Sequence, residues 1–220
     1  MLQKLVDRVH CDDIIEADGK IVAFERASDT VTLDIQIFDA ESGAPVEVWR
    51  VRCAGFKEFC IRPEQGDIAT FNSTHAAVRQ YVERGAEIFF VGAAAEPGQV
   101  AERLRAAHNR LAGDWIPFER YVNRIPLANL LGRAGGRIFA GPQFLAREFL
   151  RVLQDSGVTT SHLPEDIGEQ PLPTSSLEML VVGSSHIIGE DFDAAKVSAG
   201  AVAPGVEPDG PSARGLTPGR

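Results

Sequence analysis

Five histidines and three cysteines are spread along this chain, and their positions decide what chemistry is open to it. His10-Cys11-Asp12-Asp13 sets four metal-binding side chains in a row. Consecutive residues point in different directions, and no second set at finger-like spacing completes a site. The run therefore reads as a solvated segment, and no metal is expected. Cys53 and Cys60 have six residues between them, the wrong spacing for a zinc knuckle. Cys53 continues an apolar strand face and reads as a buried structural thiol.

His75 follows Thr74 at the head of a short helical run. At a helix start an imidazole has a lowered pKa and can serve as a neutral base, although a plain surface histidine explains the residue as well. His108 falls on the apolar face of a helix and reads as core. His162 closes a strand beside an acidic connector. Ser184-Ser185-His186 invites a nucleophile reading, but neighbours in sequence do not make a triad, and no Gly-x-Ser-x-Gly elbow surrounds either serine. Gly132-Arg133-Ala134-Gly135-Gly136 is the nearest approach to a phosphate loop. A dinucleotide loop needs a strand before it and a helix after it, and here the order is reversed, so no cofactor is expected.

Gly113-Asp114-Trp115-Ile116-Pro117-Phe118 is the most distinctive short run of the second half. Trp115, Phe118 and Tyr121, with Arg120 and Arg124, suit a pocket or a partner surface; as core residues they would clamp helices onto a sheet.

The elements that must position these residues begin with an antiparallel hairpin. Val31, Leu33, Ile35 and Ile37 alternate with polar residues, and after the turn-like run 41–45 a second strand runs from Val46 to Cys53. Val46 and Val48 have one parity, while Trp49, Val51 and Cys53 have the other, which predicts a bulge at Val48-Trp49. Arg50 and Arg52 then share the polar face with Asp34 as a cross-strand neighbour, making that face a candidate contact surface. Ile14 to Glu16 and Ile21 to Arg26 read as strands around an Asp18-Gly19 turn. Phe56, Phe59 and Ile61 suggest one more strand, and residues 64–73 read as loop.

Further along, the pattern predicts a helical run over 76–83 and a strand at 88–91. An amphipathic helix carries Val100, Leu104, Ala107, His108 and Leu111 on one face and ends at Gly113. A helical turn at 127–131, a strand at 138–140, a helix over 144–154 and strands at 158–162 and 177–183 follow. The Ala-, Gly-, Pro- and Ser-rich chain from 193 to 220 cannot bury enough apolar surface to offset its ordering entropy and reads as a disordered tail. The fold class is therefore α+β. An N-terminal antiparallel β region over 1–63, a small sandwich or half-barrel, packs as one domain with a mixed α/β layer over 64–192.

With 220 residues, 44% of them hydrophobic, the chain is long enough to bury its own core. A net charge of −9 lacks the Lys and Arg excess that phosphate neutralisation requires, so no nucleic acid is expected. No stretch of eighteen uninterrupted apolar residues occurs, so no membrane span is expected, and the N-terminus lacks a signal-peptide core. An odd, sparse cysteine count suits a reducing compartment, which points to the cytoplasm. The Val48–Cys53 strand, the Gly113–Phe118 run and the Gly141-Pro142 helix start resemble recurring features of uncharacterised bacterial proteins over about residues 20–192. That resemblance implies a bacterial-type protein and carries no activity.

The expected function is binding of a protein partner or ligand, of accessory or immunity-like kind, with contacts drawn from Asp34, Arg50, Arg52, His75, Trp115 and Phe118. The alternative is an enzyme with a pocket between sheet and helices, using His75 or His162 with a carboxylate such as Asp67 or Glu165. A third reading, assembly through an exposed edge of the N-terminal sheet, predicts oligomers.

Overall fold

A computed structural model of the chain describes residues 2–9, 17–39, 41–168 and 175–197. It divides into two compact units, residues 73–175 forming the second and the chain on either side forming the first. The first unit starts with helix α1 (Gln3–Val9) and strands β1 (Ala17–Ala27), β2 (Thr30–Asp39), β3 (Pro45–Ala54), β4 (Glu58–Cys60) and β5 (Gly66–Phe71). The second unit follows with α2 (Ala76–Val82), β6 (Gly85–Val91), α3 (Pro97–Ala112), α4 (Leu127–Leu131), β7 (Gly135–Pro142), α5 (Gln143–Asp155) and β8 (Thr159–Leu163). The chain then returns to the first unit as β9 (Glu178–Val182), β10 (Ser185–Gly189) and β11 (Asp191–Val197).

The first unit is an eight-stranded antiparallel sheet in the order β11-β3-β2-β1-β5-β9-β10-β4. β10 and β11 lie towards opposite ends of that order, yet only Glu190 separates them in the chain. The sheet must therefore coil on itself, which fits the half-barrel of the two forms expected, small sandwich or half-barrel. Gly189 marks the closure, since a Cβ built on it would collide with Cys53 Sγ on β3. The inward face carries Val31, Leu33, Ile35 and Ile37 from β2, Trp49, Val51 and Cys53 from β3, and Leu180 and Val182 from β9; Leu2 and Leu5 add to this core from the α1 segment.

Several sequence expectations are corrected here. Asp18-Gly19 makes no turn but lies inside β1, where Gly19 faces Ile37 on one side and Gly66 on the other. The glycine serves close packing, because a Cβ there would sit 2.6 Å from the Ile68 side chain. Residues 66–71, read as loop, form β5 between β1 and β9. The bulge in β3 falls not at Val48-Trp49, which pair regularly with Gln36 and Ile35, but at Val46, skipped between Glu47↔Ile37 and Pro45↔Phe38. The inward position next to Trp49 is taken by a carboxylate, Glu47, so a search for apolar parity misplaced the irregularity. Finally, Asp193 to Val197, assigned to the tail, pair with β3 as part of β11. Backbone hydrogen bonds to a neighbouring strand hold them, and only Ala194 among these five is buried. The rest of the predicted tail, 198–220, and the predicted strand at Ile14–Glu16 lie outside the described residues, as does the His10–Asp13 run.

The second unit is a three-stranded antiparallel sheet, β7-β6-β8, covered by α3, α4 and α5. α3 buries Val100, Leu104, Ala107, His108 and Ala112. Leu111, placed on that face by its spacing, is 39% exposed, and Ala112 fills the last inward position instead. α5 buries Phe144, Leu145, Phe149, Val152 and Leu153. Phe149 packs at a tilt against Phe139 of β7, with centroids 4.9 Å apart. Burying one such side chain contributes about 1.5–3 kcal/mol. In the glycine-rich run that leads into β7, Gly135 lets the strand start close against its neighbour, since a Cβ on it would sit 2.8 Å from the Phe90 carbonyl. No helix among the described residues is long and apolar enough to cross a membrane.

Candidate functional site

The β2–β3 register places Asp34 opposite Arg50. Arg50 Nε donates to Oδ1 at 2.7 Å and Nη2 donates to Oδ2 at 2.8 Å, a bidentate fork. Asp34 is buried, and its bond to the guanidinium raises the Arg50 pKa above its ordinary value. Arg52, two residues on, is exposed and faces Thr32 on β2 and Asp193 on β11. It makes no ion pair with any described residue. Two arginines on one polar strand face thus differ: Arg50 has its fork spent on Asp34, whereas Arg52 has its donors to offer.

Arg52 belongs to a cleft of about 540 Å³ confined to the first unit. Glu178 of β9, Glu190, and Asp191 and Asp193 of β11 also line it, with Gln3 of α1 and Phe192 adding polar and apolar surface. Glu190 is partnered by Lys57 at 2.7 Å, while Glu178 and Asp191 make no ion pair with any described residue. With Glu190 matched by Lys57, Glu178 and Asp191 still outnumber Arg52 among the described residues and give the cleft a negative potential suited to a cationic ligand. β11 is the last strand of the sheet order, so no described strand pairs with its outer side.

A second polar centre had no signal in the sequence beyond a Glu two positions before a Trp. Glu47 is 8% exposed. Trp49 Nε1 donates to its Oε1 at 2.8 Å, Arg8 Nε donates to the same oxygen at 2.9 Å, and Lys196 Nζ lies 2.5 Å from Oε2. Burial alone would raise the carboxyl pKa, but the bonds from Lys196, Trp49 and Arg8 outweigh it and hold the group below its usual value. The cluster ties α1, β3 and β11 together and has every acceptor oxygen occupied, which suits a structural lock better than a reactive group.

In the second unit, His75 caps α2: its Nδ1 accepts from the Ala77 N–H at 3.3 Å. That bond fixes the neutral ring with its proton on Nε2, so the nitrogen a general base needs is already occupied. Burial lowers the His75 pKa, keeping the ring neutral. Trp115 stands edge-on to it at 5.5 Å, so these two expected residues do meet. Phe118, by contrast, is 6% exposed and packs on His108 and Phe149. His162 lies on β8, where Nδ1 must be the donor to the Pro164 carbonyl at 2.9 Å. His108 is 1% exposed, and neither ring nitrogen has a hydrogen-bond partner among the described residues; burial pushes its pKa down.

Cys53 is fully buried and its thiol is pushed up to about 12, chiefly by burial, which leaves it inert as a nucleophile. Ser185, also buried, donates to the Arg62 carbonyl and accepts from the Arg62 N–H, both at 2.8 Å, while His186 lies on the other parity of β10 near Glu58. No group of three or more His, Cys, Asp and Glu among the described residues could hold a metal ion. No family model, no curated protein and no solved structure matches the chain, so function has to be read from these geometries.

Proposed function

We propose that this is a bacterial-type cytoplasmic protein that works by binding, as an accessory or immunity-like factor, and that its first unit takes a basic segment of a protein partner. The observation that carries this reading is the 540 Å³ cleft, in which Arg52 is set among Glu178, Glu190, Asp191 and Asp193 at the start of an edge strand. An extended segment laid along β11 would find main-chain partners there, with acidic side chains alongside to select for Lys or Arg. The carboxylates give the cleft its charge and the edge strand gives it direction. The capping role of His75 Nδ1 supports binding over catalysis, because a base at that position would have to give up its helix cap.

Fluorescence anisotropy with labelled Lys- and Arg-rich peptides, beside an Asp- and Glu-rich control, tests this directly. The basic peptides should bind saturably and lose affinity as salt rises. Glu178→Gln and Asp191→Asn should each weaken binding by about tenfold. Equal binding of the acidic control, or full affinity in both variants, would remove the basis for the proposal. Affinity capture from the native host should then recover a stoichiometric protein partner carrying such a segment.

A further inference from the structure

A second charged cleft, contained in the second unit, has the opposite sign. The chain after α3 passes through a short 3-10 turn at Phe118–Arg120 and then lies antiparallel against β7. The Ala140 N–H donates to the Tyr121 carbonyl at 2.8 Å, the Asn123 N–H donates to the Ile138 carbonyl at 3.4 Å, and Asn123 Nδ2 donates to the Arg137 carbonyl at 3.1 Å. This pairing clamps residues 120–124 beside β7 and encloses a cleft of about 340 Å³. Its lining includes Arg120, Arg124 and Arg137 and, among the described residues, no carboxylate.

Three arginines line one small cleft, and in a chain of net charge −9 such a concentration stands against the general field. Two of them are held in place. Arg120 donates from Nη2 to the Tyr81 hydroxyl at 2.9 Å and lies over the Tyr81 and Tyr121 rings. Arg137 uses Nη1 for Glu87 at 2.5 Å, which leaves its other N–H groups for a ligand. Arg124 is exposed and has no ion-pair partner among the described residues. Tyr121 and Phe139 add aromatic surface to the same cleft.

We infer that this cleft is an anion site for a small phosphate monoester, whose oxygens the Arg124 fork and the remaining N–H groups of Arg137 bind while Tyr121 and Phe139 take its organic part. Phosphate is favoured over a carboxylate because it presents three acceptor oxygens instead of two and carries close to two charges at neutral pH. The volume is that of a small-molecule pocket, not of a groove that tracks a polymer. The site is independent of the acidic cleft, so either reading can fail without the other.

Titration calorimetry on the full chain, with phenyl phosphate as the probe and benzoate as the carboxylate control, tests it. Phenyl phosphate should bind saturably, and more tightly at pH 7 than at pH 5, as its second ionisation completes. Arg124→Gln should weaken binding by about tenfold without moving the unfolding midpoint. Arg124→Lys, which keeps the charge but loses the fork, should fall between the two. Absence of saturation in the millimolar range, benzoate binding as well as phenyl phosphate, or Arg124→Gln leaving affinity unchanged would each overturn the assignment. So would a single-stranded oligonucleotide that binds far more tightly than the monoester and is lost in Arg124→Gln.

Discussion

Replacing Glu47 with Gln tests what holds the half-barrel of the first unit together. The wild-type carboxylate takes bonds from Trp49, Arg8 and Lys196, which belong to three separate elements. Glutamine retains one carbonyl oxygen for the Trp49 indole but turns an amide N–H₂ towards a cation. Hydrogen bonds to charged groups are worth about 1.5–3 kcal/mol each, and removing one partner of a buried ion pair costs about 3–5 kcal/mol. The Lys196 side chain is 61% exposed, so water screens its share, whereas that of Arg8 is only 27% exposed. The net expectation is a loss of about 2–3 kcal/mol. For a unit of this size that lowers the urea midpoint by about 1–2 M.

The chain has two tryptophans, Trp49 in the first unit and Trp115 in the second. In a Trp115→Phe background, indole fluorescence therefore follows the first unit alone. A pH series adds a second readout. Because the folded Glu47 pKa lies below its usual 4.5, its stabilisation is fully present above that value and disappears as pH falls through the lower folded one. Gln does not titrate, so the gap between wild type and variant should close in acid. A gap under about 0.5 kcal/mol at pH 7, or one that stays constant down to pH 3, would refute the reasoning.

Two other perturbations probe the cores. His108→Leu removes two unpartnered ring nitrogens from the second unit and should stabilise it by about 1–2 kcal/mol at pH 7, read from Trp115 fluorescence in a Trp49→Phe background. Since burial lowers the His108 pKa, wild-type stability should fall as pH drops below 6.5, where the unfolded chain takes up the proton; the variant should lose that slope, and a parallel slope would count against the assignment. Gly189→Ala drives a methyl into Cys53 Sγ and should cost about 1–3 kcal/mol by overpacking. Cys53→Ala should recover part of that loss in the double variant, so strictly additive unfolding energies would show that the strain lies elsewhere.

Short-range pattern carried the repeating elements. The period-2 alternation from Val31 to Ile37 and the 3.6-residue stripe from Val100 to Ala107 describe β2 and α3 closely, because in each case the side chains that face the core recur at the spacing of the backbone itself. The Asp34–Arg50 pairing was legible for the same reason, since two adjacent alternating strands with a short connection constrain register. The residues over 66–71 and 193–197 carried no such pattern. Their strand conformation is supplied by hydrogen bonds to β9, β1 and β3, partners distant in sequence, and backbone bonds leave no mark on side-chain type.

The candidate sites divide along the same line. Sequence alone established an acidic α+β chain without a recognisable catalytic or metal motif, and it singled out Arg52 and the aromatic segment from Trp115 to Tyr121. Only the tertiary structure gathered Arg52 with carboxylates from β9 and β11, set Arg124 beside Arg137, and placed Glu47 inside the half-barrel between Arg8 and Lys196. Those groupings join residues as far apart in the chain as Arg8 and Lys196, which meet through Glu47. Charge complementarity over such separations depends on how a sheet coils, and coiling is settled by packing and strand order together rather than by any local run of residues.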